Sequence, residues 1–209
     1  EEEWTDEARR YYCNIVGKYG PSVQGILKKA AALEIKTICP LHGPVLSENL
    51  GYYLEKYERW SSYTPEEDGV VIACASIHGN TMSAAKQLKA FLEAEGKKVI
   101  LHDLSRADLA QAVADVFRYS KLVLASSTYD AGIFSPMQDF LYRLKAKGAQ
   151  KRAVGFIENG SWAPQAAKQM SEAVALLKDM TAIEPVVTLK GAVTEENKIQ
   201  LKALAEALA

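Results

Sequence analysis

The sequence predicts an α/β fold in which residues 70–209 form a doubly wound, five-stranded parallel sheet. Five short apolar runs alternate with amphipathic stretches that are long enough to be helices. Such an alternation builds a parallel sheet covered by helices on both faces. The predicted strands are Val70–Cys74, Lys98–His102, Leu122–Ser126, Ala153–Ile157 and Pro185–Leu189. The predicted helices are Asn80–Glu95, Asp108–Tyr119, Pro136–Lys147, Pro164–Met180 and Thr194–Leu208.

The first helix of this region shows how each element is recognised. In Asn80–Glu95 the apolar side chains recur at helical spacing, so they share one face that can pack on the sheet. Gly96 follows directly and is typical of the residue that ends a helix. The next apolar run begins two residues later, which leaves room for only a short turn.

Residues 1–68 do not continue the alternation. Thr5–Val16, Ser22–Leu33 and Ser47–Ser61 are predicted to be helices, and Ile35–Cys39 is predicted to be a strand. The stretch 62–69 has the composition of a linker. So short a region has trouble burying a core of its own. Since the chain also begins without methionine, we expect a piece or a processed product of a longer protein.

The composition excludes several classes of protein. Hydrophobic residues make up 48% and charged residues 24%, as in an ordinary globular protein. A net charge of −1 offers no basic surface, so we expect no nucleic-acid partner. The apolar runs are too short to cross a membrane, and the acidic N-terminus is unlike a signal peptide. Three cysteines without a CxxC spacing favour a reducing compartment, so we expect a cytoplasmic location.

The loop after the first predicted strand has the features of a phosphate site. Ser76-Ile-His-Gly-Asn-Thr81 joins that strand to a helix N-terminus, where an open α/β sheet places anionic ligands. Its hydroxyls, its amide and the glycine backbone offer neutral donors. Because the loop has no Lys or Arg, a monophosphate suits it better than a triphosphate. The alternative is a polar loop that only caps the helix.

Two further loops should converge on the same crevice, since all three leave the same edge of a parallel sheet. The first follows the third strand and contains Tyr129, and the second follows the fourth strand and contains Trp162. Each aromatic ring can lie against a flat heterocycle. Asp130 and Glu158 are the acidic candidates near such a ring, and the alternative for both is a solvated loop carboxylate.

The first loop resembles the Thr/Ser-x-Thr-Gly-x-Thr signature of the flavodoxin family, with His78 in place of the third-position hydroxyl. The resemblance implies a flavodoxin-like fold and FMN as the cofactor. It implies that the phosphate is held by Ser76, Ile77, His78, Gly79, Asn80 and Thr81. It implies that the isoalloxazine is enclosed by Thr128, Tyr129, Asp130, Ala131, Gly132, Asn159, Gly160 and Trp162.

A narrower resemblance extends into the N-terminal part. Tyr11–Val16, Ile35–Pro44 and Tyr57–Trp60 are similar to the end of the metallo-β-lactamase-like domain of flavodiiron proteins, which reduce dioxygen or nitric oxide. The resemblance implies that residues 1–61 are the C-terminal portion of that domain, 62–69 a linker and 70–209 the flavodoxin-like domain. It also implies that His42 matches a diiron ligand, whereas the other ligands lie upstream of this region.

The resemblance implies an FMN-binding module that relays electrons to a diiron centre which the chain does not contain complete. No residue of the chain is expected to be catalytic. Electrons would come from a rubredoxin-like donor, and the diiron centre would belong to the other subunit of a head-to-tail homodimer. The alternatives are a stand-alone flavodoxin-like carrier, an NAD(P)H:quinone oxidoreductase and a flavin-free binding module. His102, which ends the second strand, is expected to be a surface or capping histidine.

Overall fold

The computed structural model describes residues 2–209 and has a parallel sheet at its centre, as the sequence predicts. The sheet order is β2-β1-β3-β5-β6. β6 pairs with the start of β5, and β7 pairs with the end of β5. A short antiparallel strand, β4, pairs with the end of β3. The strands are β1 Glu67–Ala75, β2 Lys98–Asp103, β3 Tyr119–Tyr129, β4 Gly132–Ile133, β5 Ala153–Asn159, β6 Thr181–Ala182 and β7 Val187–Leu189.

The helices cover both faces of the sheet, so the fold is doubly wound. They are α1 Glu2–Tyr11, α2 Gly20–Ala30, α3 Leu50–Ser62, α4 Asn80–Ala94, α5 Leu109–Arg118, α6 Ser135–Lys147, α7 Ala166–Ala175 and α8 Glu195–Leu208. Side chains of β1 alternate between two buried clusters, because successive residues of a strand point to opposite faces. Val70, Ile72 and Cys74 pack with α4 and α8. Val71 and Ala73 pack in the opposite cluster, with α5, α6 and α7.

The N-terminal helices belong to the second of these clusters. A turn of π-helix, Tyr12–Val16, and a turn of 3-10 helix, Gly17–Tyr19, join α1 to α2. Tyr12, Cys13 and Trp60 are buried in the same cluster as α5 and α6. Apolar side chains of α1, of the π-helical turn and of the end of α3 therefore pack against the sheet domain. Only residues 63–66 separate α3 from β1, so half of the predicted linker is part of a helix or a strand.

The predicted strand Ile35–Cys39 is wrong. The structure has only an isolated antiparallel bridge there, between Ile38 and Leu46. The segment is mostly exposed, and its side chains do not reach the buried clusters. Apolar residues alone do not make a strand, because the backbone also needs a neighbour for its hydrogen bonds. Cys39, at the end of this segment, is exposed.

The fifth strand is present but broken. β6 pairs with the start of β5 and β7 with its end, and residues 183–186 between them leave the ladder. A proline in this stretch, Pro185, cannot donate a ladder hydrogen bond. Helix α7 is also shorter than the predicted Pro164–Met180, since the chain leaves the helix after Ala175 and continues in turns.

Candidate functional site

The carboxyl ends of β1, β3, β5 and β7 meet at a crevice made of two adjoining pockets. The first pocket has a volume of about 210 Å³ and lies beside the N-terminus of α4. It is lined by Ser76, Ile77, His78, Asn80, Thr81, Ser127, Thr128, Asn159, Gly160, Ser161 and Gly191. The second pocket, of about 350 Å³, is lined by Thr128, Asp130, Ala131, Gly160, Ser161, Trp162, Ala163 and Gln165. Three residues, Thr128, Gly160 and Ser161, line both pockets, so the two pockets adjoin.

The loop from β1 to α4 is shaped to expose a helix N-terminus. Gly79 is the residue before the helix and has a φ of 86°, a left-handed conformation that glycine adopts without a steric penalty. Its backbone N–H donates to the Ser76 hydroxyl over 3.0 Å, which closes the loop. The 15-residue helix α4 directs its free N–H groups and the positive end of its dipole toward the pocket. The arrangement suits an anion.

Ser127, the residue before the predicted Thr128–Gly132 set, links the first two loops. Thr81 is 1% exposed, and its hydroxyl lies 3.0 Å from the Ser127 hydroxyl. The Ile77 N–H also donates to Ser127 over 3.4 Å. The end of β3 therefore holds the loop between β1 and α4 in place. The sequence signal was a run of hydroxyl residues, which did not tell which hydroxyl faces the first loop.

The second loop is a tight hairpin between β3 and β4. Asp130 and Ala131 both have left-handed φ values, 49° and 55°, as the two central residues of a type I′ turn require. Tyr129 and Gly132 flank this turn as a ladder pair. The Tyr129 ring is 56% exposed and packs beside Phe134, 5.9 Å between centroids, so it lies outside both pocket linings.

The third loop is anchored by Asn159. Its side-chain amide donates to the Gly191 carbonyl, and its carbonyl oxygen accepts from the Gly191 N–H, each over 2.9 Å. This pair ties the end of β5 to the loop after β7. Trp162 is 92% exposed and forms an open wall of the second pocket. Gly160 has no room for a side chain, since a Cβ there would lie 2.9 Å from Pro164.

Glu158 does not fit either of its two predicted roles. It is 8% exposed, accepts a hydrogen bond from the Ala167 N–H near the start of α7, and accepts another from the Thr188 hydroxyl, both over 2.9 Å. It lines neither pocket. The carboxylate lies at a helix N-terminus, where backbone donors and the helix dipole stabilise it. It is therefore neither a solvated carboxylate nor a wall of the crevice.

Two other predicted residues lie away from the crevice. His102 is not a surface or capping histidine, because its side chain is 13% exposed and its Nε2 lies 2.8 Å from an oxygen of buried Asp115. His42 is exposed, and its ring lies 5.5 Å from the ring of Tyr11. Within residues 2–209, no three His, Cys, Asp or Glu side chains come together as a metal site.

The chemistry available at the crevice is binding rather than nucleophilic attack. Burial raises the pKa of the Cys74 thiol, at the end of β1, to about 12, so this cysteine is not a thiolate at neutral pH. The donors that line the first pocket are hydroxyls, amides, backbone N–H groups and the imidazole of His78. Among the described lining residues of both pockets there is no Lys or Arg. The exposed indole beside them offers a flat apolar surface.

The fold and the crevice define a flavodoxin-like protein. No family model matches the chain. A nitric oxide reductase of Moorella thermoacetica is 28% identical over 190 residues, which are 88% of this chain and 47% of that protein. The structure of a rubredoxin:oxygen oxidoreductase from Desulfovibrio gigas matches with a TM-score of 0.89 at 23% identity, over 98% of this chain and 51% of that one. A flavodiiron protein mutant from Thermotoga maritima matches with a TM-score of 0.88 at 19% identity, over 99% and 52%.

These comparisons confirm the resemblance of the chain to flavodiiron proteins, seen first in its sequence. The chain spans about half the length of the curated relatives that it matches. The matched structures share the flavodoxin-like α/β fold of residues 67–208. None of the described helices is both long enough and apolar enough to span a membrane.

Proposed function

We propose that this chain is the FMN-binding electron-transfer module of a flavodiiron oxygen or nitric oxide reductase. The observation that carries the proposal is the pair of adjoining pockets. A small pocket with polar donors at the N-terminus of α4 adjoins a larger pocket with an exposed indole. A phosphate monoester fits the donors of the first pocket, and a planar ring fits the second. The two pockets share Thr128, Gly160 and Ser161, as one ligand with both groups requires.

The residues present fit FMN. Ser76, Gly79, Asn80 and Thr81 would hold the phosphate, and Trp162 would cover the ring system. When bound, FMN supplies the one- and two-electron chemistry that no side chain of the crevice offers. Asp130 lines the ring pocket, and its carboxylate would disfavour negative charge there. Tyr129 lines neither pocket, so we place it at the rim.

The domain boundaries belong to the same proposal. Residues 1–61 would be the C-terminal portion of a metallo-β-lactamase-like domain, 62–69 its connection, and 70–209 the flavodoxin-like domain. His42 would be an iron ligand only in a longer protein that supplies the remaining ligands. Names of similar proteins, a rubredoxin:oxygen oxidoreductase and flavorubredoxins, support a rubredoxin-like electron donor. A head-to-tail homodimer would bring the diiron centre of one subunit to the FMN of the other.

Two glycines at opposite ends of α4 give a matched test of FMN binding. Gly79 and Gly96 have φ values of 86° and 76°, and a Cβ at either position meets no atom within 4 Å. Alanine should therefore cost a similar free energy of unfolding at both positions, of the order of 1 kcal/mol. Only the Gly79 change strains the loop that faces the phosphate. We expect G79A to weaken FMN binding about tenfold or more and G96A to leave it unchanged.

The measurement is a titration of flavin-free protein with FMN, followed by flavin fluorescence and the visible spectrum. Failure of the wild-type chain to bind FMN would refute the proposal and favour a flavin-free module. Equal weakening by both glycine variants would place the ligand away from this loop.

The electron-transfer part of the proposal has its own test. The FMN-loaded chain should be reduced by reduced rubredoxin faster than by NADH, and a visible spectrum reports both reactions. Rapid oxidation of NADH without a reductase would instead favour an NAD(P)H:quinone oxidoreductase. Reduction that depends on no particular donor would favour a stand-alone flavodoxin-like carrier.

A further inference from the structure

The hairpin between β3 and β4 is held by a side chain that lines neither pocket of the crevice. Gln169 of α7 donates a hydrogen bond from its Nε2 to the Ala131 carbonyl over 2.9 Å, across 38 residues of sequence. A Cβ at Gly132 would lie 3.6 Å from Oε1 of the same glutamine, so the Gln169 side chain lies along the second half of the turn. Gln169 is also outside the set of residues that the flavodoxin resemblance implies. It therefore reaches the crevice only through the turn.

The turn needs such a support, because its backbone conformation is unfavourable for the residues that form it. Asp130 and Ala131 both carry a Cβ, yet both have left-handed φ values, 49° and 55°. Glycine adopts this conformation more readily than either residue. Backbone strain of this kind persists only where the surrounding contacts hold it. The ladder between β3 and β4 holds the base of the hairpin, and the Gln169 bond holds its tip.

Helix α7 is a firm platform for this side chain. The Gln165 N–H and the Ala166 N–H, at the start of the helix, both donate to the Thr128 hydroxyl of β3, over 3.0 Å and 3.3 Å. Met170, the residue after Gln169, is fully buried in one of the two clusters that cover the sheet. Gln169 therefore extends from a fixed helix to a turn whose own backbone is strained.

Asp130 lies on this turn and, of the described residues that line the second pocket, it is the charged one. We propose that Gln169 is a positioning residue that holds the turn, and with it the Asp130 carboxylate, beside the flavin ring, and so lowers the reduction potential of bound FMN. The inference rests on the proposed function, because it concerns the ring site of that ligand. Two-electron reduction adds negative charge to the ring, and a carboxylate held nearby disfavours that charge. A loosened turn would let the carboxylate move into solvent, where its effect on the ring is screened.

The experiment measures the potential of the FMN-loaded protein by reductive titration with dithionite against a reference dye, followed by the visible spectrum. Q169M keeps the length of the side chain but has no hydrogen-bond donor. Relative to oxidised FMN, it should bind reduced FMN about fivefold more tightly than the wild type does, a rise of about 20 mV for a two-electron couple. The effect is modest because Asp130 is exposed and its charge is partly screened. The matched control, Q138M, changes an exposed glutamine of α6 whose side chain makes no hydrogen bond to another described residue, and it should behave as the wild type.

Two second substitutions test whether the effect passes through the turn and its carboxylate. D130N should raise the potential about as much as Q169M does, and Q169M should raise it no further in the D130N background. A131G relieves the strain at the tip, so the double variant Q169M/A131G should return toward the wild-type potential. In the flavin-free protein, amide hydrogen exchange of the hairpin should be faster in Q169M and slower again in Q169M/A131G.

Each outcome decides one question. If the wild type binds no FMN, the proposed function fails and the inference fails with it. If FMN binds but Q169M keeps the wild-type potential, the function stands and the positioning role of Gln169 is refuted, even where hydrogen exchange shows a looser turn. A full further rise in the D130N background, or a potential that stays high in Q169M/A131G, would refute the route through the strained turn. Unfolding midpoints of all variants check that the substitutions leave the fold intact.

Discussion

A single buried carboxylate joins the N-terminal helices to the sheet, and its replacement by glutamine should destabilise the whole chain. Glu66 lies immediately before β1, and its side chain is 2% exposed. It accepts two hydrogen bonds from Arg9 of α1, one from Lys56 of α3 over 2.8 Å, and one from the Trp60 indole over 2.7 Å. E66Q removes the charge and puts an amide donor opposite these donors.

The expected loss of folding free energy is about 3 kcal/mol. Burial alone would raise the pKa of Glu66, but the hydrogen bonds from Arg9, Lys56 and Trp60 outweigh it and lower the pKa from 4.5 to about 2. A shift of this size corresponds to about 3 kcal/mol of folding free energy. Removing one partner of a buried ion pair typically costs about 3–5 kcal/mol, because the other charge stays buried. Among the described residues, Arg9, whose side chain is 3% exposed, would keep Asp6 as its charged partner.

The same shift predicts how the stability depends on pH. A carboxyl whose pKa is lowered by folding stabilises the protein above the pKa of the unfolded chain, 4.5. That contribution is lost as the pH falls from there through about 2, the value in the folded protein. The wild type should therefore lose stability over this acid range, and E66Q should lose less of it.

Chemical denaturation followed by tryptophan fluorescence and by circular dichroism measures the loss. The matched control is E67Q, because Glu67 is the next residue and pairs with Lys98 and Arg118 while its side chain is 33% exposed. We expect about 3 kcal/mol for E66Q and about 1 kcal/mol or less for E67Q. Equal small losses in both variants would refute the idea that the buried carboxylate fastens the N-terminal helices.

Three further changes test the crevice. T81V removes the hydroxyl bonded to Ser127 and should weaken FMN binding about tenfold, which a fluorescence titration measures. W162A should weaken the binding of FMN and riboflavin by the same factor, about tenfold, because a ring contact is independent of the phosphate; a loss for FMN alone would contradict it. E158Q removes the carboxylate charge at the start of α7 and replaces one of the two acceptor oxygens by an amide donor, so it should lower the free energy of unfolding by about 1 kcal/mol, measured by denaturation, while FMN binding changes little.

The strands of residues 70–209 could be predicted because each is an apolar run bounded by turn residues. Burial of β1 on both faces makes such a run a reliable signal. The same signal was wrong for Ile35–Cys39, where the chain offers no neighbouring strand beyond one bridge with Leu46. The break between β6 and β7 was also missed, because an apolar pattern does not say whether a backbone stays in register.

The location of the crevice followed from topology alone, since parallel strands bring their loops to one edge. The roles of individual side chains did not follow. Glu158 follows an apolar run and was predicted to lie in a loop, yet it is buried under the start of α7. Ser127 and Gly191 entered the site through contacts with residues far away in sequence, which no local pattern encodes.

Those distant contacts explain how a loop without a cation could hold a phosphate. Thr81 bonds to Ser127 across 46 residues of sequence, Thr128 accepts from the Gln165 N–H across 37, and Asn159 bonds to Gly191 across 32. Each bond fixes one loop against the next before any ligand arrives, so the cost of ordering the donors is met during folding rather than on binding. Neutral donors held in place can then stabilise an anion. Loosening one of these bonds should therefore weaken phosphate binding, because the donors would no longer be held in place.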